Sequence, residues 1–154
     1  MTVKPYISKY AVIEGPCDDA SFGIFPHLKG RGYHYCEAPI FLYYGEHKSI
    51  HHGFGLYHIW EQRLRIEFNL SMKTAAPFLV GEIKTILSKA NIHCEFEHPG
   101  GNHRAVVIAH ATYNTVVMQY LDRKQVYSIV TWFSRNFRKP KKPRIGSIAI
   151  DYGT

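Results

Sequence analysis

Ten histidines stand among 154 residues, and histidine is the side chain whose unperturbed pKa suits it to general acid–base work and to metal ligation near neutral pH. His47, His51 and His52 lie close together beside Glu46. No HExxH helix and no Cys/His pair at zinc spacing accompanies them, so they read as exposed polar residues of a glycine-flanked loop, and neither a metal nor another cofactor is expected. Cys17, Cys36 and Cys94 are odd in number with no close pair, which leaves no disulfide framework and no CxxC site, only free thiols. His58 stands apart. It falls in the string Gly53-Phe54-Gly55-Leu56-Tyr57-His58-Ile59-Trp60, early in a short helix behind a glycine turn, near unpaired backbone N–H groups that attract anions. The alternative is a histidine at the edge of the core, bonded to a carbonyl.

The elements that must position such residues are legible as pattern. Ile40-Phe41-Leu42-Tyr43-Tyr44 predicts a short strand closed by Gly45, and Leu56, Ile59, Trp60 and Arg63 recur at helical spacing over 56–63. The apolar stripe Ala76, Leu79, Val80, Ile83, Ile86, Leu87 and Ala90 predicts a helix over 74–90, with Pro77 in its first turn and Asn91 as a left-handed stop. Four β-rich runs follow at 93–97, 105–110, 115–121 and 126–133, and their short connections imply antiparallel pairing. Strict alternation puts Arg104, Val106, Ile108 and His110 on one face of their strand, with His103 on the other. In the last run it sets Tyr127, Ile129, Thr131 and Phe133 against Val126, Ser128, Val130 and Trp132. The expected fold class is α+β, with N-terminal helices packed on one face of a four-stranded antiparallel sheet. Three segments are expected: a loop-rich lead-in over 1–38, a folded unit over 39–134 and a basic arm over 135–154.

Charge sharpens the last boundary. The net charge is +7, which favours an anionic partner, nucleic acid before an acidic lipid surface. Arg135, Arg138, Lys139, Lys141, Lys142 and Arg144 supply +6 of it within ten residues and leave +1 for the other 144. Such a run is either solvated surface or an arm that neutralises phosphates. At 45 % hydrophobic residues the chain can bury a core unaided. No stretch approaches the apolar length of a membrane span and the first residues lack a secretory pattern, so a soluble cytoplasmic protein is expected.

The succession Tyr44-Gly45-Glu46-His47, then Gly53-Phe54-Gly55-Leu56-Tyr57-His58-Ile59, one amphipathic helix, three strands and a closing Val126-Tyr127-Ser128-Ile129-Val130-Thr131-Trp132-Phe133 resembles the barnase–EndoU–colicin–RelE superfamily of small endoribonucleases. Within it, the likeness is to the phage-associated and polymorphic-toxin branches and covers about residues 39 to 134. The resemblance implies metal-independent RNA cleavage: the substrate's 2′-OH attacks the adjacent phosphorus and leaves a 2′,3′-cyclic phosphate. On that reading His58 does acid–base work, Arg104 clamps phosphate with its planar fork, and Thr131, ahead of Ser128, offers a hydroxyl in the cleft. The other reading of Thr131 is simply a good strand former. Arg63 stands where that branch often has a second histidine, so the partner of His58 is unassigned.

The expected function is therefore an endoribonuclease, a toxin or phage-encoded nuclease acting on RNA and conceivably on tRNA, with an acidic immunity protein or antitoxin as partner. Substrate contacts are expected from Arg63, Arg65, His103, Ser128, Arg138, Lys139, Lys141 and Lys142, although Arg63 and Arg65 beside Glu61 and Glu67 also read as surface ion pairs. Tyr33, Tyr35, Tyr43, Tyr44, Tyr57, Trp60 and Trp132 are aromatic candidates for stacking on bases, most of them destined for the core. The rival from another class is a nucleic-acid-binding protein without catalysis, and a third is a protein-interaction module whose charge serves solubility.

Overall fold

Strand-forming residues dominate the chain from its start, and the computed structural model, which describes residues 7–94, 104–110, 112–134 and 143–153, is built around one large sheet. Its elements are β1 (Val12–Ile13), β2 (Ile24–Phe25), β3 (Leu28–Gly30), β4 (Tyr33–Tyr35), β5 (Ala38–Tyr43), β6 (Glu46–Ser49), β7 (His52–Phe54), α1 (Gly55–Ile59) running into a π-helical turn (Trp60–Leu64), α2 (Met72–Ser88), β8 (Ala90–Cys94), β9 (Arg104–Ala109), β10 (Thr115–Leu121), β11 (Val126–Phe133) and β12 (Arg144–Ile148). The sheet has eight strands in the order β1-β5-β11-β10-β9-β8-β12, with β2 also on β5. Its neighbours are antiparallel except β5 and β11, which run parallel.

This overturns the expected fold class of N-terminal helices on a four-stranded antiparallel sheet. Three of the four β-rich runs coincide with β9, β10 and β11, and the first, 93–97, meets β8 only at 93–94, with 95–97 outside the described residues; the meander β8-β9-β10-β11 is the middle of a mixed sheet twice as wide. Seven strands precede the first helix. Those of the lead-in are two or three residues long, too short to show a period of two, and the parallel join of β5 to β11 spans most of the chain, where no local signal reaches. Through β5 two strands of the lead-in, β1 and β2, join the sheet, whereas β3 and β4 pair with each other in a separate ribbon.

α2 packs on one face. It buries Ala75, Leu79, Ile83, Ile86 and Leu87 in one cluster with Ala105, Val107, Val116, Met118, Ile129 and Trp132. The helix begins two residues before the sequence stripe because Ser71 caps it, accepting from the Thr74 N–H at 3.3 Å. Pro77 consequently lies in the second turn rather than the first, where its missing N–H leaves the Lys73 carbonyl without an intrahelical donor. Asn91 is no helix stop. It sits inside β8 and bonds the His110 ring at 2.8 Å.

The other face of the central strands is set by a β-bulge. Val117 pairs with Thr131 but Met118 pairs with Ile129, so Val130 is an extra residue in β11. Alternation is reset there: Tyr127, Ile129 and Trp132 point to the core, while Ser128 and Val130 line the opposite side and Thr131 reaches Gln62. The strict alternation expected for this strand, with Thr131 on the side of Tyr127 and Ile129, is thereby corrected. In β9 the alternation holds, with Ala105, Val107 and Ala109 inward.

Two glycines fix the approach of the hairpin β6–β7 to this face. Gly45 (φ +82°) and Gly55 (φ +80°) stand back to back, and a Cβ on Gly45 would run into the Phe54 carbonyl. Backbone meets backbone there, so no side chain can swing away. Gly45→Ala is expected to cost about 3 kcal/mol or more, read as a fall in the midpoint of urea denaturation. A loss under about 1 kcal/mol would show that the crossing is not rigid. Among the described residues no helix is long and apolar enough to cross a membrane.

Candidate active site

The hairpin pairs Glu46 with Phe54 and His47 with Gly53, then feeds directly into α1, so His47 and His58 arrive at the same point from opposite sides of a tight crossing. Their Nδ1 atoms are 2.9 Å apart and their ring centroids 5.0 Å. Gly53 is required above them, since a Cβ there would strike the His58 ring and the Glu46 carbonyl. His58 is 3 % exposed, whereas His47 is only half-buried. His47 is thus the ring that a solute can reach and His58 the ring behind it.

One proton occupies an Nδ1–Nδ1 hydrogen bond, so two neutral rings must take complementary tautomers. Burial, followed by the neighbouring His47, Arg104 and Arg63, lowers the His58 pKa to about 4. His58 is therefore neutral at pH 7 and able to accept from the Nδ1–H of His47; in that tautomer the unprotonated, basic nitrogen of His47 is Nε2. Because the unfolded chain takes up this proton near 6.5 and the folded chain only near 4, stability is fully present above the unfolded value and falls as pH drops through that window. The expected loss between pH 7 and pH 4 is about 3 kcal/mol. Urea denaturation across that range checks it, with His58→Asn expected to flatten the slope; an unchanged slope in the variant would assign the acid sensitivity elsewhere.

Beside the pair, three strands contribute one polar row, and Phe41 of a fourth ends it. Arg104 pairs with Gln119, Gln119 with Ser128, and Ser128 with Phe41, so these side chains stand side by side on the face away from α2. Arg104 Nε donates to Gln119 Oε1 at 3.3 Å, and no carboxylate pairs with its guanidinium among the described residues. The hairpin rises over this row beside a cleft of about 300 Å³, lined by Glu46, Lys48, His52 and Phe54 of the hairpin together with Tyr10, Arg104, Gln119 and Ser128; His47 and His58 stand next to this cleft and are not part of its lining. The Ser128 hydroxyl is 3 % exposed and has no hydrogen-bond partner among the described residues. An unpaired buried hydroxyl costs stability, so Ser128→Ala is expected to leave the stability read from melting curves unchanged or to raise it, by up to about 1 kcal/mol. A clear drop would mean that the hydroxyl has a structural partner.

The remaining expected site residues are placed as follows. Thr131 donates to Gln62 Oε1 at 2.9 Å, and Gln62 in turn donates to the Ile50 carbonyl, so this hydroxyl ties the hairpin tip to the sheet instead of presenting its proton to a phosphate. Arg63 stacks on Phe133 at 4.2 Å and pairs with Glu67 at 3.6 Å, close enough to affect His58 but outside the cleft lining. Arg65 is exposed and bonds Glu61 at 3.2 Å, the surface ion pair that its spacing also allowed. His103 and the basic residues Arg138, Lys139, Lys141 and Lys142 lie outside the described residues. His51 and His52 line the cleft as exposed residues, and among the described residues no three His, Cys, Asp or Glu side chains converge on one point. Of the aromatic candidates, Tyr35, Tyr43 and Trp132 are buried, with Tyr33 and Trp60 packed against the core.

Sequence reasoning missed His47 as the partner of His58, and Gln62, Gln119 and Tyr10 altogether. The signal for His47 was present in a hairpin reading, since glycines at 45, 53 and 55 fold the intervening residues back on themselves. No protein-family model, curated protein or solved structure matches the chain.

Proposed function

We propose that the histidine pair and the cleft beside it, linked by Arg104, form the active site of an endoribonuclease that cleaves RNA by attack of the 2′-OH on the adjacent phosphorus. The observation that carries the reading is the His47–His58 pair, bonded through Nδ1 beside an arginine with no carboxylate partner among the described residues. Nε2 of His47 takes the 2′-OH proton, and His58 accepts from the other side of that ring, fixing its tautomer and stabilising the imidazolium that forms. Arg104 offsets the charge growing on the phosphorane oxygens. The departing 5′-oxygen draws its proton from water in the open cleft. His58 is a positioning residue here, because it is buried behind the ring that meets substrate.

The basic run of 135–144 supplies further phosphate contacts in this reading, and an acidic immunity protein or antitoxin is the partner that would close the cleft. Purified protein incubated with total RNA in EDTA should yield discrete fragments. Saturable RNA binding without cleavage, in a preparation free of inhibitor, would instead make the protein a nucleic-acid-binding module.

A further inference from the structure

Beyond the scissile phosphate, we infer that the Gln119–Ser128 corner of the cleft, roofed by Tyr10, is a subsite for a nucleobase of the RNA. This rests on the RNA-cleft reading above. The row Arg104–Gln119–Ser128 is polar, and the next row of the same face, Val106–Val117–Thr131, carries one hydroxyl, which is bonded to Gln62, so the free hydrogen-bonding groups of this sheet face are concentrated in the first row. Ser128 is the informative member. Its hydroxyl is 97 % removed from solvent, lines the cleft and has no protein partner among the described residues, as expected of a group whose partner is a ligand.

Gln119 complements it. Its Oε1 already accepts from Arg104, which leaves the amide N–H groups to donate into the cleft beside a hydroxyl that can donate or accept. That adjacent pair matches the edge of a base, where a carbonyl or ring nitrogen neighbours a second hydrogen-bonding atom. A second phosphate would be met by Lys48, His51 and His52 on the hairpin side of the cleft, whereas the Gln119–Ser128 corner adjoins its apolar walls. Those walls are Tyr10, Phe54 and Leu121. Tyr10 is 38 % exposed, rests against Phe54 at 5.6 Å and carries the Lys124 ammonium 4.6 Å from its ring centre. Tyr43 meets the same ring edge-on at 5.6 Å and Lys9 stands 5.5 Å from its centre, so a splayed base would pack against the exposed part of the Tyr10–Phe54 pair with two cations at hand. At about 300 Å³ the cleft is at the lower limit of ligand pockets, room for one nucleotide rather than for a folded RNA element.

The test uses the full chain, the four nucleoside 3′-monophosphates and ribose 5-phosphate as the control without a base, with affinities from calorimetry. At least one nucleotide should bind about tenfold or more tightly than ribose 5-phosphate. Both Ser128→Ala and Tyr10→Ala should narrow that ratio, with melting curves confirming that each variant is folded. Equal affinity for nucleotides and ribose 5-phosphate, no saturable binding of any of them, or a ratio that neither substitution moves would overturn the subsite. The cleavage assay fails independently: a protein that cuts RNA without base-dependent nucleotide binding keeps the proposed activity and loses the subsite, and one that binds nucleotides through the base but cuts nothing does the reverse.

Discussion

Replacing His58 by alanine is expected to slow RNA cleavage by about 10²–10⁴-fold at pH 7, in kcat far more than in KM. His58 makes no contact with solvent, so the loss acts through His47: without the acceptor 2.9 Å from its Nδ1, that ring is free to rotate and to adopt the tautomer whose outward nitrogen is not a base. His58→Asn provides the control, because the asparagine Oδ1 stands near the position of Nδ1 and accepts the same hydrogen bond. It should recover a substantial part of the rate, whereas a purely packing role would make the asparagine no better than the alanine. His47→Ala should be at least as slow as His58→Ala, and the double variant no slower than His47→Ala, since the two rings act as one unit. Additive losses would separate them into independent groups.

Arg104→Ala carries the second large effect, a fall of about 10²–10³ in kcat/KM. Its guanidinium approaches the cleft from β9 with Gln119 Oε1 on its Nε, and the carboxylate that shares the cleft lining, Glu46, is paired with Lys9 and Lys48, which leaves the remaining N–H groups of Arg104 to a phosphate. Arg104→Lys restores the charge but not the fork, and should recover part of the loss while leaving about a tenfold deficit. The salt dependence of RNA binding should become shallower by about one phosphate contact in the alanine variant. An unchanged salt slope with full activity would remove Arg104 from the cleft chemistry.

How far these residues could be read from the sequence depends on the range of the interactions that place them. Arg104 and the three inward residues of β9 follow from alternation within one strand, and α2 follows from its own stripe. Ser128 and Thr131 were separated by the same alternation, and the bulge at Val130 defeats it: one extra residue, marked by no glycine, puts both on the side of the cleft. The His47–His58 pair was hidden for a different reason. Each histidine is conspicuous, but their meeting depends on a hairpin whose strands are three and four residues long and whose fold-back is enforced by contacts between Gly45 and Gly55. Tyr10 reaches the cleft only because β1 pairs with β5. The expectation of a four-stranded sheet failed for want of long-range information: β5 is legible as a strand, but its parallel partner β11 is distant in sequence, and the two-residue β1 and β2 that it recruits carry no periodic signature of their own.

The most direct test of the His47-based mechanism is the chemistry of the cut ends. A short single-stranded RNA incubated with the protein in EDTA, with products resolved by phosphorus NMR, should show a 2′,3′-cyclic phosphate with wild type, about 10²–10⁴-fold less of it per unit time with His47→Ala, and partial recovery in His58→Asn over His58→Ala. Products ending in a 3′-OH and a 5′-phosphate, or equal yields from wild type and His47→Ala, would contradict it.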